Sequence, residues 1–232
     1  MQLIIATMFH KFRENVQFHF ARRPVAQLPC LPFSRARQSP SQPPPPAQLA
    51  YLDLSEIAQH RRTKLAGPAP PMGARRRPNA PGFRRVQKQL RRLAPKDRRE
   101  DPYLAALLIA LAQEQRLHYS ERRKGGEDDG NDTKLPRDAP SVAPCPMLLV
   151  TRPSDTRWLP IYTSNVSPEF LDRFDRPSHP PPADAPCGLQ MAIHRRRLTF
   201  KPYETLQQRL AAVVRDANLV GEYGPKDLDK EL

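Results

Sequence analysis

Glu169, Asp172 and Asp175 recur every third residue. A pair of carboxylates on one side of a helix is the arrangement that general acid and base chemistry needs. Their surroundings point elsewhere. Ser167-Pro168 is a helix start, so Glu169 falls in a first turn, where an acid stabilises the helix dipole. Arg173 and Arg176 are at hand to neutralise the other two acids. Cys145, His179, Cys187 and His194 are gathered in the C-terminal half, but no two have the close spacing of a structural zinc site. With Cys30 the cysteines number three, far apart and without a Cys-x-x-Cys pair, which excludes a disulfide framework and favours a reducing compartment. The sequence has no Gly-x-Ser-x-Gly elbow and no glycine-rich phosphate loop, and nine glycines in 232 residues leave little room for one. No catalytic residue, metal ligand or cofactor is assigned.

The chemistry the sequence does offer is cationic. Of the net charge of +14, residues 61–100 supply +12, with fourteen Arg or Lys against Asp97 and Glu100. Residues 1–60 carry +3 and residues 101–232 carry −1. A basic block beside a near-neutral remainder points to a polyanionic partner, nucleic acid first, or to a solvated spacer that keeps the chain soluble. The candidate phosphate contacts are Arg75, Arg76 and Arg77, then Arg84, Arg85, Lys88, Arg91 and Arg92, and a separate triplet, Arg195, Arg196 and Arg197.

The elements that must position these cations follow from apolar spacing. In residues 83–94 Phe83, Val86, Leu90 and Leu93 fall at spacings of 3, 4 and 3, so they share one face of a helix whose other faces are basic. Such a helix suits a phosphate backbone, an anionic membrane surface or the groove of a partner protein. It also suits plain docking on the neighbouring domain. Asp101 is a good helix cap and Pro102 a good first residue, and Tyr103 to Ala112 is apolar all round, so a central core helix is expected there. Met147–Thr151 and Trp158–Thr163 read as strands joined by the turn Pro153-Ser154-Asp155-Thr156, with Pro160 marking an edge or a bulge. A helix after Ser167 holds Phe170, Leu171 and Phe174. Alternation around Leu189–Ile193 and Leu198–Phe200 gives a strand with a register change, or two short strands, with the arginine triplet on or beside the sheet. Tyr203, Leu206, Leu210, Val213 and Ala217 form one stripe of a last helix. Trp158, Tyr162, Phe170, Phe174 and Phe200 read as core rather than as a base-stacking surface.

The expected fold is α+β: a small two-layer unit of about three helices and a three-stranded, mainly antiparallel sheet over residues 101–217. Disordered insertions are expected at 120–146 and 176–188, with a charged tail at 218–232. Restriction-endonuclease-type nucleases share the α-β-β-α-β order. Their chemistry needs an acid followed, on the next strand, by an acid-x-Lys pair, and no Glu-x-Lys or Asp-x-Lys stands on a strand here.

Prolines, 29 in all, and few aromatics make residues 1–82 look largely disordered. Within them a short amphipathic helix is expected in 1–23, extended geometry from Pro24 through the run Pro43–Pro46, and a helix over 53–65 with Asp53 and Glu56 as a capping box. Residues 83–100 are set apart as the basic helix. No stretch approaches the ~18–20 apolar residues of a membrane span. The arginine clusters suit a nuclear or cytoplasmic location, and the acid-poor first forty residues leave a mitochondrial presequence as the alternative.

The phrases Asp101-Pro-Tyr-Leu-Ala-Ala-Leu-Leu, Tyr162-Thr-Ser-Asn-Val-Ser-Pro-Glu-Phe-Leu-Asp-Arg-Phe and Phe200-Lys-Pro-Tyr-Glu-Thr-Leu resemble stretches of uncharacterised proteins of filamentous fungi. The resemblance covers about half the chain. It implies no activity and transfers no site residue. The expectation is a non-enzymatic interaction protein whose segment 61–99 binds nucleic acid electrostatically, or else an adaptor whose α+β unit docks a partner protein.

Overall fold

Leu49-Ala50-Tyr51-Leu52 and Met147-Leu148-Leu149-Val150 are buried at every residue, because they lie side by side in the middle of a sheet with both faces covered. The computed structural model describes residues 9–11, 14–35, 46–66, 80–125, 144–152, 154–179 and 191–220. In it β1 (Phe9–Lys11), β4 (Leu31–Arg35), β5 (Leu49–Asp53), β6 (Met147–Thr151), β7 (Trp158–Ser164) and β8 (Ile193–Thr199) form a six-stranded sheet in that order. β5 and β6 are parallel, and the other neighbours in this sheet are antiparallel. β2 (Asn15–Phe20) and β3 (Arg23–Pro29) make a separate two-stranded ladder. The protein is α+β with a mixed sheet.

Parallel neighbours need a long crossover. Between β5 and β6 it holds α1 (Leu54–Ala66), α2 (Ala80–Leu93) and α3 (Pro102–Gly125); α4 (Pro168–Asp175) and α5 (Leu206–Val220) come later. Successive strand residues face opposite sides. Ala50, Leu52, Leu148, Val150 and Tyr162 therefore pack with Leu104, Leu107, Leu108 and Leu111 of α3, and with Val16 and Leu28 of the β2–β3 hairpin. On the other side Leu49, Tyr51, Met147, Leu149, Leu159 and Ile161 pack with Leu210 and Val214 of α5. α4 closes one end, where Leu171 and Val166 meet Ala112.

The helix starts are local chemistry. Asp53 Oδ1 accepts from Ser55 N at 2.8 Å, Asp101 Oδ1 from Tyr103 N at 2.9 Å, and Ser167 Oγ from Phe170 N at 3.2 Å. Pro160 acts on the sheet through its missing N–H. Ser164 N donates to Pro146 O, so by alternation Ser164, Tyr162 and Pro160 turn their backbone groups toward β6. Pro160 cannot donate there, and the β6–β7 ladder stops at Leu149↔Ile161.

Several expectations are corrected. Helix was expected in residues 1–23, and the described part forms β1, β2 and the hairpin turn. Residues 1–82 were expected to be largely disordered, yet β1 to β5 and α1 lie in them and β5 is central to the sheet. Proline does not prevent this. Cys30 N donates to Glu14 O, so by alternation Pro29 faces away from β2, where its missing N–H costs no bond. Among the described residues the sheet has six strands, not three. Cover on both its faces gives three layers rather than two, because β5 and β6 are apolar on both sides. Ser120–Gly125, expected in an insertion, continues α3, since Glu, Arg and Lys favour helix. α5 runs to Val220, past the expected tail boundary. Residues 126–143 and 180–188 of the expected insertions, Leu189 of the expected strand, and 221–232 of the expected tail lie outside the described residues.

Candidate polyanion-binding surface

α2 lies against α1. Val86 and Leu90, in the middle of its apolar stripe, are half-buried, whereas the ends stay open: Phe83 is 64% exposed and Leu93 53%. The helix is therefore seated by two residues of its stripe. Arg84, Arg85, Lys88, Arg91 and Arg92 are all exposed. Among the described residues none of the five forms an ion pair, although acids elsewhere are paired. Arg84, Lys88 and Arg91 stand at i, i+4 and i+7, with Arg85 and Arg92 flanking them, so the cations share one broad face about 12 Å long at 1.5 Å per residue.

The other candidates divide. Arg75, Arg76 and Arg77 lie outside the described residues. Arg195, Arg196 and Arg197 are exposed on β8, at the edge of the sheet. Register places them on both faces. Arg195 and Arg197 sit opposite Tyr162 and Pro160 on the α3 side, and Arg196 sits opposite Ile161 on the α5 side. Consecutive residues of one strand cannot form a single patch.

Two cations, Arg61 of the basic block and Arg116 beyond it, are committed to the fold. Arg61 of α1 forks onto Asp101 at 2.9 and 2.5 Å, and the Asp101 side chain is only 5% exposed. Arg116 of α3 pairs with Asp172 and, at 3.6 Å, with Asp175. The acid series on α4 is therefore neutralised from α3 rather than by Arg173 and Arg176. Sequence spacing gave no sign of either pairing, because each joins separate helices.

Tyr162 gathers a mixed-charge group. Burial pushes its phenol up, and Arg195, which hydrogen-bonds the hydroxyl, draws it back down. Asp97 and Arg99, from the loop between α2 and α3, are close enough to act in opposite directions. The end of the basic block thus comes near β8 beside the sheet edge.

A polar cluster stands at the carboxyl ends of the parallel strands, where open α/β sheets place ligands. Tyr51 Oη and Thr151 Oγ1 are 2.8 Å apart, and Thr151 Oγ1 donates to Asp53 Oδ2 at 3.4 Å. Burial raises the Tyr51 hydroxyl, the Thr151 bond lowers it, and Asp53 and Glu56 raise it further. These groups satisfy one another and Asp53 also caps α1, so the cluster clips β5 to β6. Among the described residues no group of three His, Cys, Asp or Glu could hold a metal ion, and no helix is long and apolar enough to cross a membrane.

No protein-family model, curated protein or solved structure matches the chain.

Proposed function

We propose that the protein is a non-enzymatic binding protein whose segment 61–99 engages a polyanion, nucleic acid in the first place, with α2 as a helical contact. One observation carries the reading: five cations share one exposed helix face with no acidic partner among the described residues, beside Arg61 and Arg116, which are consumed internally. A face about 12 Å long reaches three to five phosphates when both strands of a groove contribute.

Each neutralised phosphate contributes ~0.9 to the slope of log affinity against log salt on duplex DNA. Three to five contacts give a slope of about −2.7 to −4.5, or a roughly 40- to 500-fold loss over a fourfold rise in salt. Labelled duplex and RNA are titrated against the full chain at several salt concentrations, beside a variant with Arg84, Arg85, Lys88, Arg91 and Arg92 all changed to Gln. The variant is expected to lose most of that slope. Equal affinity and slope in the two proteins would refute the reading. A truncation at residue 101 is unsuitable, since it removes β5 from the middle of the sheet.

A second reading has its own support. Phe83 and Leu93 are exposed at the two ends of the α2 stripe, which suits a partner protein's groove. Binding of that kind survives high salt and fails in a Phe83→Ser, Leu93→Ser variant.

A further inference from the structure

β8 is the last strand of the sheet, paired on one side with β7. Phe200 N donates to Arg157 O, which makes residues 200 and 157 a hydrogen-bonded pair. By the alternation of an antiparallel ladder, Leu198, Arg196 and His194 also turn their backbone groups toward β7, while Thr199, Arg197, Arg195 and Ile193 turn theirs outward. One outward group is already taken. Arg209 of α5 donates to Thr199 O at 2.7 Å and to Pro202 O at 2.8 Å, so its guanidinium closes that end of the edge. Among the described residues the outward N–H and C=O of Ile193, Arg195 and Arg197 have no backbone partner.

We propose that this open stretch of β8, from Ile193 to Arg197, takes an extended acidic peptide of another protein as an additional strand. The backbone supplies the geometry: alternating donors and acceptors along an edge match another peptide backbone. The side chains select the charge. A strand added here meets Arg195 and Arg197 with two residues on the α3 side, and meets Arg196 with the residue between them on the α5 side. Three consecutive acids therefore each face an arginine across the strands, an opposite-charge pairing that stabilises a ladder. A second copy of this chain is disfavoured by the same register, because β8 against β8 sets arginine against arginine. Nucleic acid fits less well, since phosphates only accept hydrogen bonds and the edge presents carbonyls as well as N–H groups. The inference concerns a different element from α2 and stands or falls apart from it.

The test uses the full chain and a fluorescent decapeptide with a central Glu-Glu-Glu flanked by Thr and Val, read by anisotropy. Three variants separate ladder from charge. Arg197→Gln removes a charge and keeps the outward N–H. Arg197→Pro removes both, at a position whose N–H does not serve the β7 ladder. Arg196→Gln removes a charge and leaves the outward edge intact. Arg197→Pro is expected to bind at least ~5-fold more weakly than Arg197→Gln, the effect of one lost backbone hydrogen bond. Added antiparallel, the peptide exchanges backbone hydrogen bonds with Arg195 and Arg197 through its outer two Glu, so a peptide N-methylated at both is expected to bind wild type at least ~5-fold more weakly than its parent. Equal binding by the Pro and Gln variants, with a methylated peptide as good as its parent, overturns the proposal in favour of plain charge attraction. Complete displacement of the peptide by duplex DNA in the Arg84, Arg85, Lys88, Arg91, Arg92 to Gln variant overturns it in favour of nucleic acid at β8. Dimerisation that Arg197→Pro abolishes overturns it in favour of a second copy.

Discussion

Arg61→Ala removes one half of a fork that joins α1 to the start of α3. The Asp101 carboxylate accepts both guanidinium nitrogens and the Tyr103 N–H, and it has almost no access to water. Loss of a fully buried partner costs ~3–5 kcal/mol, mostly through the stranded charge. Arg61 itself is 22% exposed, so water can enter the vacated space and the expected cost falls to about 2–4 kcal/mol. With a urea slope of ~2 kcal/mol per molar, the midpoint drops by about 1–2 M at unchanged slope. Asp101→Asn keeps a competent helix cap while losing the charge, and Arg61→Lys keeps the charge without the fork. The double variant Arg61→Ala, Asp101→Asn completes a thermodynamic cycle, with a coupling expected above ~1 kcal/mol. Since Arg61 is committed to Asp101, Arg61→Lys is also expected to leave the salt slope for nucleic acid unchanged. A midpoint shift under ~0.3 M for Arg61→Ala would show that water and the Tyr103 cap suffice for Asp101, and the reasoning about buried charge would be wrong.

Two further outcomes test the hairpin. Ala21 and Arg22 form its two-residue turn with φ of 51° and 62°, the left-handed region that costs a non-glycine residue ~1–2 kcal/mol. Arg22→Gly is therefore expected to raise stability by about 1 kcal/mol in urea denaturation, and a loss would count against the turn. Gln113, 6% exposed on α3, clamps His19 from both sides: its Oε1 accepts from His19 N at 3.0 Å and its Nε2 donates to His19 O at 2.9 Å. Gln113→Leu leaves both backbone groups unsatisfied and is expected to cost about 2–3 kcal/mol, with faster hydrogen exchange concentrated in residues 14–29. Uniform exchange would mean that the clamp does not hold the hairpin.

Where a signal is written in a few neighbouring residues, the sequence was enough. Asp101-Pro102 and Ser167-Pro168 start helices through hydrogen bonds two or three residues long. The apolar stripes of α2 and α5 need only their own periodicity. Leu148-Leu149-Val150 and Ile161-Tyr162-Thr163 are short β-favouring runs. The basic face of α2 was legible for the same reason, since spacing alone puts Arg84, Lys88 and Arg91 together.

The tertiary structure decided everything that joins distant segments. β5 is five residues with no alternation, beside a proline-rich stretch, and its neighbour β6 begins almost a hundred residues later. Only that pairing makes Leu49–Asp53 a central strand and brings the N-terminal segment into the fold. The β2–β3 turn uses Ala-Arg where Asn-Gly would have announced it, so α3 and α4 must hold the hairpin through Gln113 and the Phe174 carbonyl, which accepts from Ala21 N at 2.7 Å. Arg61 and Arg116 look like free cations until the partners in other helices are known. The triplet Arg195 to Arg197 looked like one cluster because the residues are adjacent in sequence. Strand geometry sends them to opposite faces, and edge position, set by which strand is last, leaves the outward backbone of Arg195 and Arg197 open. Composition and spacing thus determined where the charge lies along the chain; packing determined which charges are spent and which face outward.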